Sequence, residues 1–143
     1  MKKKTTTLYK HWMNILLILS VLFIFYLTML PHQSLGIGMQ KCGVKLNPFN
    51  IFHYSHSFYS TFIVNDIGNI VLFMPFGFVL AMRLSKLNKR SIVLVGCLLS
   101  IFIETVQLLF IPNRCTDIDD VFLNTLGTFL GCLCWNKGFA SRR

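Results

Sequence analysis

Four strongly apolar stretches alternate with short polar or basic segments along this chain. Each stretch is close to the ~20 residues that a helix needs to cross the hydrocarbon core of a bilayer. The pattern therefore predicts an all-α membrane protein, a bundle of four transmembrane helices that forms a single domain over residues 1–143. The predicted spans cover about residues 12–30, 66–84, 91–111 and 117–135.

The first apolar stretch has a second interpretation, a cleaved signal peptide. Its apolar run is longer than the usual core of a signal peptide. The segment after it, Pro31-His32-Gln33-Ser34, also offers no small-residue cleavage site. We therefore interpret the stretch as an uncleaved first helix.

The connection over 31–65 is the longest between the predicted spans. Its first half is rich in glycine and proline, which form turns, and its second half is aromatic and polar without charge. Two interpretations stay open: a segment that lies in the membrane interface, or a loop folded over the bundle. In the next span, Pro75 frees a backbone carbonyl one turn earlier and predicts a kink.

Basic residues set the expected orientation of the spans. The chain has 14 Lys and Arg against 5 Asp and Glu, a net charge of +9, and a mean hydropathy of +0.60. The N-terminal tail, the loop over 83–90 and the C-terminal tail carry 11 of the 14 basic residues. Because cytoplasmic segments carry the excess of Lys and Arg, we expect both termini in the cytoplasm and the 31–65 loop outside. No basic face is interleaved with stacking aromatics, so nucleic-acid binding is not expected.

All five acidic residues lie between Asp66 and Gly131, in or beside apolar segments. In the predicted topology, each of them lies in the outer half of the membrane. A carboxylate in hydrocarbon usually faces a bundle interior or a water-filled cavity. We therefore predict a polar cup, open to the outside and lined by carboxylates and amides. Its candidate residues are Asp66, Asn69, Glu104, Gln107, Asp117, Asp120 and Asn124.

Along each predicted helix, small residues continue the series of polar residues at intervals of three or four, so both kinds of residue share one face. Three such stripes are expected: Asp66, Asn69, Phe73 and Gly77; Gly96, Ser100, Glu104 and Gln107; and Asp120, Asn124, Gly127 and Gly131. Small residues let two helix backbones approach closely within a membrane. The residues expected in helix packing are Pro75, Gly77, Gly127 and Gly131.

Simpler explanations exist for several of the polar residues. Asp66 and Asp117 each begin a predicted helix, where Asp is a good N-cap, so capping explains them as well as binding does. No cap explains Glu104 in the middle of a span. The histidines His32, His53 and His56 lack a firm metal-binding geometry, so neither a metal nor a cofactor is predicted.

Several motifs in a fixed order resemble the VanZ-like family of membrane proteins. They are Leu46-Asn47-Pro48-Phe49, the run from Asp66 to Gly77, Glu104-Thr105-Val106-Gln107, and the run from Asp117 to Gly127. The resemblance covers about residues 46–135, whereas the first span and the tails match only in character. The polar and small positions of the family correspond here to Asp66, Asn69, Pro75, Glu104, Gln107, Asp117, Asp120, Asn124 and Gly127.

The resemblance implies a function at the cell envelope. The founding member of the family is associated with resistance to teicoplanin, a lipid-tailed glycopeptide that acts at the outer face of the membrane. The implied function is therefore a non-enzymatic protein of the bacterial cell membrane that lowers sensitivity to such antibiotics. Its expected partners are membrane lipids, together with a lipid-linked cell-wall precursor or the lipoglycopeptide itself.

Two alternatives stay open. One is a small intramembrane enzyme that acts on an envelope lipid, with Glu104 as acid or base and Asp117 and Asp120 as further catalytic candidates. The other is an oligomeric transporter or channel. No nucleophile elbow, zinc motif or phosphate loop supports an enzyme, and no inverted repeat supports a transporter.

Glu104 and Asn124 are expected at the same depth on adjacent antiparallel spans, which a short turn connects. A carboxyl group in hydrocarbon needs a partner, and an amide side chain offers both a donor and an acceptor. We predict a hydrogen bond between them, direct or through one water, with Gln107 and Asn69 nearby.

Overall fold

The computed structural model of the chain describes residues 2–29, 44–45, 66–111 and 116–138. These residues form four helices and one very short strand pair, which confirms the all-α fold class for this part of the chain. The elements are α1 (Lys2–Met29), β1 (Val44–Lys45), α2 (Gly68–Arg83), α3 (Lys89–Phe110), β2 (Thr116–Asp117) and α4 (Ile118–Gly138).

The helices agree with the predicted spans within about three residues at each end, except at the start of α1. That helix begins at Lys2 rather than near Trp12. The prediction followed the uncharged run, whereas lysine is itself a good helix former and continues the helix beyond the apolar part. Within the described residues, two segments are long and apolar enough to cross a membrane, Leu8–Met29 and Lys89–Phe110, each of 22 residues. A crossing by α2, which has 16 residues, and by α4 stays a prediction, as does the single domain over 1–143.

Three hydrogen bonds show how the helices alternate in direction. Gln107 Nε2 near the end of α3 donates to the carbonyl oxygen of Thr28 near the end of α1, at 2.9 Å. Asn69 and Asp120, in the first turns of α2 and α4, are joined by a bond of 2.6 Å. At the opposite end of the bundle, Arg83 Nε of α2 donates to Oδ1 of Asn14 in α1, at 2.7 Å. Helices α1 and α3 therefore run one way, and α2 and α4 run the other way.

This alternation separates the charges between the two ends of the bundle. The end that carries Asp66, Asp119 and Asp120 is called the acidic end below. The opposite end is called the basic end, and the basic residues there include Lys10, Arg83, Lys86, Lys89, Arg90 and Lys137.

The strand pair lies at the acidic end. Strand β1 runs parallel to β2, with Val44 opposite Thr116 and Lys45 opposite Asp117, and β2 leads directly into α4. A part of the long connection between α1 and α2 is therefore held beside the start of α4. The sequence did not predict this pairing, because two residues are too few to show the alternation of a strand. The aromatic half of the connection lies outside the described residues.

Helices α2 and α3 begin in different ways. Asn88 is the N-cap of α3, and its Oδ1 accepts hydrogen bonds from the backbone N–H and the hydroxyl of Ser91, both at 2.8 Å. Helix α2 begins differently, because residues 66–67 already form a wide, π-type turn and the N-cap position falls on Ile67. From the sequence, Asp66 is expected as an N-cap, but it lies one residue before the observed N-cap position.

Glycines set the distance between α2 and α4. A Cβ atom on Gly127 would collide with the carbonyl oxygen of Ile70, and one on Gly131 would lie 2.8 Å from the backbone nitrogen of Phe78. The two backbones are therefore too close for any larger residue at these positions. Pro75, in contrast, lies inside α2 with its side chain exposed, away from this contact.

Thr128 is the point where three helices meet. Its Cα atom lies 2.7 Å from where a Cβ on Gly77 of α2 would be, and its Cγ2 lies 2.6 Å from where one on Gly96 of α3 would be. The residue is fully buried. Around it, apolar side chains such as Phe73, Phe76 and Ile103 form the core of the bundle.

The outer surface of the bundle is apolar. Large hydrophobic side chains are exposed along all four helices, among them Leu19 and Phe23 of α1, Leu98 of α3 and Phe122 of α4. The interior combines the apolar core with buried polar side chains on α1, α3 and α4. A water-soluble protein differs from this, because its buried polar groups are few and charged residues cover its surface.

Candidate functional site

In the part of the chain that the structure describes, six polar side chains are buried inside the bundle, in the half nearer the acidic end. We call them the polar cluster: Thr28, Ser100, Glu104, Gln107, Asn124 and Thr128. Glu104 is 5% exposed, and Gln107 and Asn124 are each 2% exposed. Glu104 therefore faces the interior of the bundle and not its apolar outer surface.

Spacing along α3 and α4 explains why these groups meet. Ser100, Glu104 and Gln107 follow one another at intervals of four and three residues, so they share one face of α3. Asn124 and Thr128 share a face of α4 by the same rule. Because α3 and α4 run in opposite directions and pack together, the two polar faces lie against each other.

Asn124 links these faces through Ser100. Its Nδ2 donates to the hydroxyl oxygen of Ser100 at 2.8 Å, and its backbone carbonyl accepts a bond of 3.1 Å from the hydroxyl of Thr128. The Nδ2 atom of Asn124 therefore bonds to Ser100, one helical turn further from the acidic end on α3, and a link from Asn124 to Glu104 through one water stays a prediction. The carbonyl oxygen Oδ1 of Asn124 is buried and accepts no hydrogen bond within the described part of the chain.

Gln107 connects the cluster to α1. Its Nε2 donates to the carbonyl oxygen of Thr28, whose own hydroxyl donates to the carbonyl oxygen of Ile24 at 2.8 Å. The carbonyl of Thr28 is near the end of α1, where backbone oxygens lack partners within the helix. The side chain of Gln107 on α3 thus supplies a hydrogen-bond donor to a backbone oxygen at the end of α1.

The acidic end forms a half-buried rim above the cluster. Asp66, Asn69, Asp119 and Asp120 are all partly buried, and the bond from Asn69 Nδ2 to Asp120 Oδ1 joins α2 to α4. Asp117 lies in β2, directly before α4, and its side chain lies outside the described part of the structure. The seven candidate residues of the cup thus divide into three buried ones, three on the rim, and Asp117.

Sequence reasoning missed Thr28 and Thr128 as members of the cluster. Thr128 carries a usable signal, because it stands four residues after Asn124 on the same helix face. No sequence signal marks Thr28, since a threonine in an apolar first span is common. Only its backbone oxygen takes part in the contact with Gln107 of α3.

The chemistry of the cluster is hydrogen bonding around one carboxyl group. Amide and hydroxyl groups supply donors and acceptors, and the rim adds further carboxylates. Among the described residues, no three His, Cys, Asp or Glu side chains come together to hold a metal ion. The histidines His32, His53 and His56 lie outside those residues. Such an arrangement offers hydrogen-bond donors and acceptors to a polar group.

Comparison with known proteins decides the family. A model of the VanZ/LLP1 family matches residues 13–139, which include every residue of the polar cluster and its rim. The chain belongs to this family. The resemblance stated from the sequence motifs is thereby confirmed, and family membership together with two long apolar helices indicates a membrane protein.

One curated relative gives a more specific similarity. Protein VanZ from Enterococcus faecium is 40% identical to this chain over 68 residues, which are 46% of this chain and 40% of that protein. The aligned part therefore spans less than half the length of either protein. No solved structure matches the chain.

Proposed function

We propose that the chain is a multi-pass protein of the bacterial cell membrane that lowers sensitivity to lipid-tailed glycopeptide antibiotics such as teicoplanin. In this proposal all four helices cross the bilayer, and the acidic end faces the outside. The observation that carries it is the buried polar cluster below an acidic rim, in a chain of the VanZ/LLP1 family.

The distribution of side chains supports four spans. The exposed faces of α2 and α4 carry large apolar residues, including Val71 on α2 and Phe122, Leu126 and Phe129 on α4. The last three recur at the spacing of one helix face. A bundle with such a surface and with its polar groups inside is suited to lipid, where buried polar residues face the interior of the bundle.

The separation of charge supports the orientation. The basic end carries Lys10, Arg83, Lys86, Lys89, Arg90 and Lys137, and the cytoplasmic side of a membrane protein carries the excess of Lys and Arg. Both termini are then cytoplasmic, because α1 begins and α4 finishes at the basic end. The rim and the strand pair face outward, toward the side on which the antibiotics act.

The cluster and rim would act by binding a polar headgroup at the outer leaflet. A lipid-linked cell-wall precursor and a lipoglycopeptide both combine an apolar tail with a polar head. The apolar outer surface of the bundle suits such a tail, while the carboxylates of the rim and the amides below it suit the head. In this way the protein would change how the antibiotic anchors in the membrane or reaches its target.

Antibiotic sensitivity tests the proposal directly. A sensitive host would express the wild-type chain, Glu104→Gln or Asn124→Ala, and the inhibitory concentrations of teicoplanin and vancomycin would be measured. The neighbouring variants Thr105→Ala and Thr125→Ala are matched controls, since each threonine hydroxyl donates to a carbonyl of its own helix.

We expect the wild type and both controls to raise the inhibitory concentration of teicoplanin more than that of vancomycin. The two cluster variants should lose most of this effect at equal expression. An unchanged teicoplanin value for the wild-type chain, at verified expression in the membrane, would refute the proposal.

A further inference from the structure

The basic end of the bundle has no role in the action proposed for the acidic end. Its centre is the loop between α2 and α3 together with the first turn of α3, where residues 85–90 are all exposed. Lys86, Lys89 and Arg90 lie within five residues of one another there. Arg83 stands just before the loop, and its hydrogen bond to Asn14 holds it against α1.

No acidic residue balances these charges locally. The five acidic residues of the chain all lie elsewhere: Asp66, Asp117, Asp119 and Asp120 at the acidic end, and Glu104 within α3. Charges of one sign within a few residues produce a strong local potential, because they lie within one Debye length of each other. The partner that fits this end therefore carries negative charge.

The loop also presents an apolar side chain among the charges. Leu87 is 47% exposed and stands between Lys86 and Lys89. A soluble anion would gain nothing from this side chain. An anionic lipid would, because its headgroup can meet the lysines while Leu87 inserts beside the acyl chains.

We propose that the basic end binds the headgroups of anionic phospholipids in the inner leaflet, with Lys86, Lys89 and Arg90 as the main contacts. The inference rests on the membrane placement proposed above and not on any action on antibiotics. Juxtamembrane basic residues each strengthen binding to an anionic surface by about fivefold. Three of them amount to a preference on the order of a hundredfold over zwitterionic lipid.

Binding of labelled lipids to the purified full-length chain tests the proposal. The probes are fluorescent phosphatidylglycerol and fluorescent phosphatidylcholine, titrated in zwitterionic detergent micelles. One variant combines Lys86→Gln, Lys89→Gln and Arg90→Gln. The matched control combines Lys41→Gln, Lys45→Gln and Arg114→Gln, which removes the same charge from other parts of the chain.

The wild type and the control should prefer phosphatidylglycerol on the order of a hundredfold, and the loop variant should lose this preference. A third variant, Lys86→Arg with Lys89→Arg, should retain it, and thermal unfolding would verify that each variant is folded. The salt dependence of lipid binding by the wild-type chain gives a further measurement. Raising the salt from 0.1 M to 1 M shortens the Debye length from ~10 Å to ~3 Å and should weaken the preference.

Three results would overturn the proposal. The first is equal affinity of the wild type for the two lipids. The second is an equal loss of preference in the loop variant and in the control. The third is displacement of phosphatidylglycerol by inorganic phosphate at a similar concentration, which would make the site one for free phosphate. None of these results bears on the teicoplanin measurement, so the two proposals fail separately.

Discussion

Asn124 of α4 donates a hydrogen bond of 2.8 Å to the hydroxyl of Ser100 on α3, and both side chains are buried. The bond joins two helices that are adjacent in the chain and antiparallel in the bundle. It lies one turn from Glu104 on α3, so it sets how the carboxyl-bearing face of α3 is positioned against α4. Polar bonds between buried helix faces therefore form part of the framework of the site.

The first prediction concerns the strength of this bond. Ser100→Ala, Asn124→Ala and the double variant form a cycle, in which unfolding free energies measured in detergent give the coupling between the two residues. We expect a coupling of about 0.6 kcal/mol, the average for side-chain hydrogen bonds inside membrane proteins. Each single variant should still fold. A coupling indistinguishable from zero would show that the two side chains do not interact in the folded protein.

The second prediction concerns the contact between α2 and α4. In Gly131→Ala the added methyl group would collide with the carbonyl oxygen of Met74 and lie 2.8 Å from the backbone nitrogen of Phe78. Because backbone atoms cannot move aside without separating the helices, we expect a loss of about 1–3 kcal/mol in unfolding free energy.

Gly138→Ala is the matched control for this change. Nothing lies within 4 Å of its added methyl group, so its stability should stay the same or rise slightly. Equal unfolding free energies for the two variants would contradict the close approach of α2 and α4.

The helices and their polar faces could be predicted from the sequence because each rests on a strong local pattern. Apolar runs near 20 residues mark the helices, and intervals of three and four residues place Asn124 beside Gly127 and Glu104 beside Ser100. Which side chain on α3 meets Asn124 depends on how α3 and α4 are rotated and shifted along each other. A shift of one helical turn exchanges Glu104 for Ser100, and the sequence does not fix so small a shift. The sequence therefore placed Asn124 on the face toward α3 but paired it with Glu104 instead of Ser100.

Other features had no local pattern to predict them. The strand pair of Val44 with Thr116 joins segments far apart in the chain, and each strand has only two residues. Pro75 was expected in helix packing because proline perturbs helices, but its ring lies on the exposed side of α2. The pairing of Asn69 with Asp120 needs the parallel arrangement of α2 and α4, which only the complete bundle defines.

The third prediction concerns the orientation of the bundle. Variants with a single cysteine would be treated, in intact cells, with a thiol reagent that does not cross membranes. We expect labelling at Cys42 and Cys115, both outside the described residues. The strands β1 and β2, which follow these cysteines closely in the chain, lie at the acidic end, the proposed outer side. Cys134 is exposed on α4 near the basic end, and Cys97 and Cys132 are partly or fully buried. These three should react only after the membrane is dissolved.

Labelling in detergent is the control for the reactivity of each thiol. There, Cys134 should react readily and Cys132 slowly, since burial within the bundle protects only the second. Reaction of Cys115 solely in permeabilised cells would reverse the orientation and place the acidic end in the cytoplasm.

The fourth prediction separates a structural from a functional role of Glu104. The residue is 5% exposed in a bundle whose other buried polar groups are neutral. Glu104→Gln preserves the shape of the side chain and most of its hydrogen-bonding capacity. We therefore expect the unfolding free energy to change by less than about 1 kcal/mol, as for most mild substitutions. Resistance to teicoplanin should nevertheless be mostly lost, because the proposed site is built around the carboxyl group of Glu104.

The adjacent variant Thr105→Ala should leave both quantities unchanged, because Thr105 is exposed and bonded to its own helix at Ile101. Comparison of envelope lipids between wild-type and Glu104→Gln cells adds a third measurement. A binding role predicts identical lipids in both, whereas an enzyme with Glu104 as acid or base would change them. If Glu104→Gln unfolded the protein, the carboxyl group would be structural. If it stayed folded and kept full resistance, the site would not depend on Glu104 at all.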